Sequence, residues 1–370
     1  MSMENAVPER VIEDRLKRIL DLASREGLEY VLLAQPENVQ YATGFDVVGN
    51  PPKTAYALVA ESLEGPILMV PPLEYKEAVD TVSPLVKVVS FKLGEKPLKA
   101  LLRLLVEYQV RGCVGLDLCT REMADGLRAK LEVREVKDLN DGLLKLREVK
   151  DSYEVECIRQ ATRVVEAGLQ RAYEVLREGV REVDVAAEVE RALRIEGAEG
   201  MAFDTIVASG PRSAYPHAKP TKRVIKRGEV VVVDLGVRVH GYCSDMTRTF
   251  IVGENREASQ VIAAVKGAQE AALKVMRDGV KASTPDAEAR RALKEKALDE
   301  YFIHSLGHGV GLSVHEGPAL SSSSNDVLRE GNVVTVEPGV YIPGKFGVRL
   351  EDVVLINKGG WSRISRLEGL

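Results

Sequence analysis

Two stretches of this chain end valine-rich runs in an acid. "GEVVVVDLG" places Asp234 after four valines, and "GNVVTVEPG" places Glu337 after a similar run a hundred residues later. Each run belongs to a strand–turn–strand pattern with a second acid on its return arm, Asp245 in 228–252 and Glu351 in 331–356. Side chains alternate along a strand, so Asp234 shares a face with Val232 and Val230, and Glu337 with Thr335. On the last arm Arg349 and Glu351 share a face and Asp352 points the other way. Taken singly, such an acid reads as a strand-end charge or an ion-pair partner. Four in two matching hairpins read as one site, and four carboxylates packed together do not all stay ionised without a cation.

The five histidines, His217, His240, His304, His308 and His315, all lie in the C-terminal part of the chain. "IHSLGHGVGLSVHEGP" sets His304 and His308 four apart, on one face if the segment is helical. The glycines flanking His308 permit a close backbone approach or a sharp turn. The pattern is not H-E-x-x-H, so no single-zinc protease helix is written here. One imidazole with four carboxylates makes a mostly oxygen site, suited to Mn²⁺, Co²⁺ or Fe²⁺ more than to a closed structural zinc. Two divalent ions balance four carboxylates and leave a hydroxide as nucleophile, the arrangement of two-metal hydrolysis. His240 fits no motif and is expected to be exposed in a hairpin turn.

These residues need a mount. Residues 1–147 alternate helical and strand signals: 9–26 helical, 29–34, 54–60 and 66–70 extended, 96–109 helical, 113–117 extended, 120–131 helical. That is an α/β domain, and it carries no G-x-G-x-x-G or P-loop. From 148 to 370 the texture changes. Long amphipathic helices are expected at 146–179, 180–197 (with Asp184 as N-cap), 258–279 and 284–301, gathered around the two hairpins as an α+β domain of two related halves.

The length of 370 residues favours two domains. A 45% hydrophobic, 29% charged composition with net charge −5 describes a globular protein and argues against a nucleic-acid binder. No run of 18 apolar residues suggests a membrane span, and "MSMENAVPER" lacks a signal-peptide pattern, so a cytoplasmic location is expected. Cys113, Cys119, Cys157 and Cys243 have no C-x-x-C spacing and read as reduced thiols. Asn and Gln total only 15, a leaning towards a thermophile.

With these motifs on the page, the C-terminal domain resembles the pita-bread metallopeptidases, the family of prolidase, aminopeptidase P and methionine aminopeptidase. The resemblance rests on "YPHAKPT" with His217, "VVDLG" with Asp234, "YCSDMTRTF" with Asp245, "GHGVGLSVHEGP" with His308 and His315, "VEPGVY" with Glu337 and "RLEDVVLI" with Glu351. "NVQYATGF" (38–45) resembles the creatinase-type N-terminal domain, which methionine aminopeptidases usually lack.

The resemblance implies five metal ligands, Asp234, Asp245, His308, Glu337 and Glu351, with Asp245 and Glu351 bridging two ions. The ions implied are Mn²⁺ or Co²⁺, with Fe²⁺ or Zn²⁺ as alternatives. Glu337 would also shuttle a proton to the leaving nitrogen, a task that calls for a raised pKa. His217 and His315 would hold the scissile carbonyl and the oxyanion. His304 and Arg349 match further pocket positions. Arg349 either binds a substrate carboxylate or pins a metal-ligand acid. Tyr242 and Arg248 read as groups that support the ligand side chains or pack, rather than as catalytic groups. The implied reaction is hydrolysis of the bond before proline, in an Xaa-Pro dipeptide. The alternatives are an Xaa-Pro aminopeptidase on longer peptides, hydrolysis of another small amide, and a protein-binding member of the fold. The family also suggests a homodimer, with loop 47–56 either reaching the partner's site or forming plain surface.

Overall fold

A computed structural model of the chain describes residues 6–49 and 51–367. The first five residues of the opening stretch and Asn50 of loop 47–56 lie outside the described residues. The chain divides into two compact units, Met1–Arg147 and Glu148–Leu370. Among the described residues, no helix is long and apolar enough to cross a membrane.

The first unit runs α1 (Glu9–Arg25), β1 (Tyr30–Leu33), α2 (Pro36–Thr43), β2 (Tyr56–Val59), β3 (Ile67–Val70), α3 (Pro72–Thr81), β4 (Lys87–Ser90), α4 (Pro97–Glu107), β5 (Gly112–Leu116), α5 (Arg121–Lys130), β6 (Val133–Asp138) and α6 (Asn140–Glu148). In α1 the residues Ile12, Leu16, Ile19 and Leu22 recur at helical spacing, and all are buried. Proline at the first helical position opens α2, α3 and α4, where its missing N–H costs nothing. The six strands form one sheet in the order β4-β3-β2-β1-β5-β6. The β1–β5–β6 and β3–β4 pairs are parallel, and β1–β2–β3 is antiparallel. This is the expected α/β class, with a mixed sheet.

At the end of β5 the buried Asp117 holds the β1–α2 connection. Its carboxylate accepts from Ala34 N at 2.7 Å, and from Gln35 N and Asn38 Nδ2 at 3.0 Å each.

The second unit begins with α7 (Ser152–Val175) and α8 (Glu182–Ile195), followed by β7 (Gly200–Met201), β8 (Ile206–Ser209), a 3₁₀ turn over Gly210–Ala214, β9 (Val230–Leu235), β10 (Val237–Val239), β11 (Tyr242–Cys243) and β12 (Met246–Ile251). Then come α9 (Arg256–Val275), α10 (Ser283–Lys294), a 3₁₀ turn over Asp299–Tyr301, β13 (Gly307–Gly309), β14 (Glu316–Leu320), β15 (Val333–Val336), β16 (Gly339–Ile342), β17 (Phe346–Arg349), β18 (Asp352–Asn357) and β19 (Gly360–Arg363).

The plan is a helix pair and then a double hairpin, used twice. In the first half β9 pairs with β8 and β12 while β10 pairs with β11. In the second half β15 pairs with β13 and β18 while β16 pairs with β17. Each hairpin therefore breaks midway and passes from one sheet to another. The breaks fall at Gly236 and 244–245 in the first half, and at 337–338 and 350–351 in the second.

Several expected boundaries shift. The helix expected over 146–179 is two, α6 and α7, separated at 149–151. Asp151 caps α7 by accepting from Glu154 N at 2.8 Å, and Glu154 reaches back to Asp151 N. Asp184 is not the cap of α8. It sits three residues inside and accepts from Arg181 N at 3.3 Å. The helix expected over 284–301 ends at Lys294, and a 3₁₀ turn follows.

The Asp117 carboxyl gives the fold a pH signature. Burial pushes it up from 3.8 to about 6, against the pull of its hydrogen bonds. Because the folded pKa is the higher one, its ionisation disfavours the folded state. Relative stability is full below 3.8 and is lost as pH rises to about 6. The unfolding free energy of wild type minus that of Asp117→Asn should therefore fall by up to about 3 kcal/mol across that window. Urea titrations at a series of pH values measure it, and a flat difference would show that the carboxyl is not perturbed.

Candidate metal centre

The breaks in the hairpins are where the acids sit. Asp234 is the penultimate residue of β9, Asp245 precedes β12, Glu337 follows β15 and Glu351 precedes β18. A strand that changes sheet re-aims its side chains, and all four carboxylates turn inward. Three overlapping groups have ligand atoms within 4.8 Å of one another: Asp234, Asp245 and Glu351; His308, Glu337 and Glu351; and Asp245, His308 and His315. Glu351 is shared by two of these groups, as are Asp245 and His308.

His308 lies on β13, not on a helix, so the four-residue spacing to His304 is not a helical face. Of the two uses open to its flanking glycines, the close approach is the one realised. A Cβ at Gly307 would stand 2.1 Å from Thr335 O, and one at Gly309 would stand 2.0 Å from Gly317 O. His308 Nδ1 donates to its neighbour Gly309 O at 3.0 Å, which turns Nε2 to within 3.2 Å of Glu337 and 3.8 Å of Asp245. Thr335 accepts from His308 N and donates to Glu337 Oε1 at 3.2 Å.

Arg349 lies against one of the candidate ligand acids. Its buried guanidinium donates to Asp234 Oδ2 at 2.5 Å, to Tyr341 OH at 2.6 Å, to Thr247 Oγ1 at 3.0 Å and to Pro216 O at 3.3 Å. So committed, it pins Asp234. Thr247 in turn donates to Glu351 Oε2 at 2.8 Å. His304 Nδ1 donates to Ser305 O, which leaves Nε2 to accept from Tyr341 OH at 3.0 Å. Tyr341, whose hydroxyl burial pushes up to about 12, thus ties His304 to Arg349, and no motif in the sequence singled it out. Its place on β16, three residues after the Glu337–Pro338 break, was the available signal.

The electrostatics fit a cation. Burial raises the Asp245 carboxyl well above its ordinary value, and Glu351, Asp234 and Glu337 add their repulsion. Burial likewise raises Glu351, with Glu337 and Asp234 adding to it. Glu337 departs from the expected raised value. Burial works against its charge, but the hydrogen bond and charge of His308 carry it below the usual range. His308 is correspondingly raised, its own burial outweighed by Glu337. Two buried carboxylate oxygens, Asp234 Oδ1 and Glu351 Oε1, have no hydrogen-bond partner. A buried acceptor left without a donor is costly. Acceptor-only oxygens facing one another are a donor set for hard or borderline divalent ions.

The centre opens into a cleft of about 670 Å³ lined by His217, His304, His315 and Arg349, with Phe203, Ile206, Pro216 and Ile303 as its apolar wall. His315 packs edge-on against His308, with ring centroids 4.4 Å apart, and burial lowers its pKa, helped by the His308 charge. His217 is exposed, on a loop clamped from below. The buried Glu182, at the start of α8, accepts from Ser209 N and Oγ at one end of the loop and from Thr221 N and Oγ1 at the other. Arg212 spans the same loop, bound to Glu182 and donating to Lys219 O at 2.7 Å. His240 is in the β10–β11 turn as expected but half-buried, in left-handed backbone. Tyr242 and Arg248 do not line the cleft: Tyr242 donates to Glu154 at 3.3 Å, and Arg248 donates to Asp352 at 2.8 Å and to the carbonyl of the candidate ligand Glu351 at 2.6 Å.

A duplicated α+β unit with five ligand-type side chains converging at its breaks defines a metal-dependent hydrolase. Residues 156–358 match metallopeptidase family M24, and residues 15–149 match the creatinase/prolidase N-terminal domain. The chain belongs to metallopeptidase family M24. It is 37% identical over 358 residues to an Xaa-Pro dipeptidase of Pyrococcus furiosus, covering 96% of this chain and 99% of that protein. Its fold matches the crystal structure of a prolidase from Pyrococcus horikoshii with a TM-score of 0.86 at 36% identity, covering 96% of this chain and 99% of that one. An X-Pro aminopeptidase from Thermotoga maritima matches with a TM-score of 0.84 at 34% identity, covering 96% and 98%.

Crowded carboxylates trade stability for metal binding. In chelator, Asp245→Asn should unfold at a higher temperature than wild type, because one member of the repelling cluster is gone. With divalent metal the order should reverse. Wild type at a hundredfold excess over its Kd gains about 2.7 kcal/mol, and the variant gains far less. Calorimetry in EDTA and in Mn²⁺ checks both signs. A variant less stable than wild type in chelator would show that the cluster is not repulsive.

Proposed function

We propose that this chain hydrolyses the peptide bond preceding proline in Xaa-Pro dipeptides, using two divalent ions. The observation that carries this reading is its similarity, over nearly all of both chains, to an Xaa-Pro dipeptidase. The residues proposed to hold the ions are Asp234, Asp245, His308, Glu337 and Glu351. The family resemblance supports giving Asp245 and Glu351 to both positions, and each of these carboxylates belongs to two of the overlapping groups, as His308 also does. Bound ions of this kind polarise a carbonyl and lower the pKa of water. The oxygen-rich donor set favours Mn²⁺ or Co²⁺.

The remaining roles follow from what each side chain faces. Glu337, held ionised by His308, is the base that takes a proton and returns it to the leaving nitrogen. His315, shifted towards its neutral form by partial burial and by the His308 charge, presents an N–H to the oxyanion, and His217, lining the same cleft, holds the carbonyl. Arg349, Tyr341 and His304 form one hydrogen-bonded chain that keeps Asp234 aimed. We further propose that units 1–147 and 148–370 are the functional divisions, that the enzyme is cytoplasmic and that it works as a homodimer. The family resemblance supports these last assignments.

The similarity to an X-Pro aminopeptidase supports a second reading, in which longer peptides are cut. A matched assay of Xaa-Pro against Xaa-Pro-Yaa with Mn²⁺ or Co²⁺ supplied separates the two. The dipeptide should be the better substrate by kcat/KM, and preference for the tripeptide would establish the aminopeptidase. His315→Ala should lower turnover by about a hundredfold while metal content stays at wild-type level. Loss of metal in that variant would make His315 a ligand instead.

A further inference from the structure

An Xaa-Pro dipeptide ends in a carboxylate that longer substrates do not present at the same place. Resting on the dipeptidase reading, the question is which cation in the cleft receives it. Among the described residues lining the cleft, the cationic or protonatable side chains are His217, Lys219, His304, His308, His315 and Arg349. Arg349 is buried and already donates to Asp234, Tyr341, Thr247 and Pro216. His304 has both ring nitrogens engaged, on Ser305 O and Tyr341 OH. His308 faces Glu337 and Asp245. His217 and His315 are assigned to the reacting carbonyl.

That leaves Lys219. Its ammonium pairs with Asp204 at 2.7 Å, with both side chains more than three-quarters exposed. Such a pair opens at little cost, because neither charge is left buried. The backbone beneath it is fixed. Arg212 donates to Lys219 O and is bound to Glu182, and Thr221, two residues on, is held by the same carboxylate. An exposed ammonium on a rigid mount, at the cleft wall and two residues from His217, suits capture of a small anionic group.

We propose that Lys219 is a specificity-determining residue that binds the C-terminal carboxylate of the dipeptide. Asp204 holds the ammonium in the free enzyme and releases it to substrate. Lys219 thereby biases the cleft towards free dipeptides over substrates blocked at the C-terminus.

The test compares an Xaa-Pro free acid with the corresponding Xaa-Pro amide in wild type, Lys219→Met and Asp204→Asn, each loaded with Mn²⁺. The ratio of kcat/KM for acid over amide should fall about five- to tenfold in Lys219→Met, mainly through KM for the acid. In Asp204→Asn, where the ammonium has lost its competitor, the ratio should rise about two- to fivefold. A ratio unmoved in Lys219→Met overturns the assignment whatever Asp204→Asn does, and so does a fall in Asp204→Asn. Wild type that leaves the free dipeptide uncut refutes the dipeptidase reading and takes the Lys219 assignment with it. Wild type that cuts the dipeptide, with an unmoved ratio, refutes Lys219 alone.

Discussion

Mutual repulsion among Asp234, Asp245, Glu337 and Glu351 is the constraint around which the second unit is arranged. Asp234, Asp245 and Glu351 are buried, with ligand atoms within 4.8 Å of one another, and the same holds separately within the His308–Glu337–Glu351 group. Carboxylates so placed destabilise the fold unless positive charge meets them. The neighbouring side chains show how far the protein goes alone. Arg349 meets Asp234, His308 meets Glu337 and Thr247 donates to Glu351. One oxygen each of Asp234 and Glu351 remains without a partner, and that residue of unmet demand is what a divalent ion satisfies.

Holding such a cluster requires a mount stiffer than the repulsion. The valine strands β9 and β15 provide it. Both are buried at every position, and both are paired on two sides. The hairpin breaks then supply the geometry, since an unbroken strand would send alternate residues to opposite faces. Using the same broken hairpin twice brings two pairs of acids together from two directions. The two halves are nonetheless not equivalent. The first contributes Asp234, held by Arg349, and the second contributes Glu337, which faces His308, so the two carboxylates have different partners.

The loop from Ser209 to Thr221 shows the opposite economy. Its side chains His217 and Lys219 reach solvent, while its two ends converge on the single buried carboxylate of Glu182. A fixed backbone with mobile polar tips positions groups that must meet a substrate entering and leaving. The metal-ligand candidates, by contrast, are on or beside strands, where a misplacement of a fraction of an ångström changes coordination.

Much of this was legible before any coordinates. The two valine runs, their acids and the glycine-flanked His308 carry period and residue type, which are local properties. They pointed to the α+β class, the pairing of hairpins and the four acids, while His308 as the fifth candidate ligand came from the family resemblance. Elements without a periodic signal were missed, among them α2, α3 and the edge strands β4 and β6, whose partly exposed residues lack alternation. The helical relation of His304 to His308 was a local inference that tertiary packing overrode. Gly307 and Gly309 let β13 lie against Thr335 and Gly317 as a strand. The sequence by itself determined which side chains are candidates for the chemistry and that the four acids ride on valine-rich strands. Tertiary structure decided who faces whom. Arg349 donates to Asp234, Tyr341 joins the site, His308 holds the Glu337 carboxyl below its usual range, and Lys219 pairs with Asp204 at the cleft wall. These are matters of distance between residues far apart in the chain, and no local pattern encodes them.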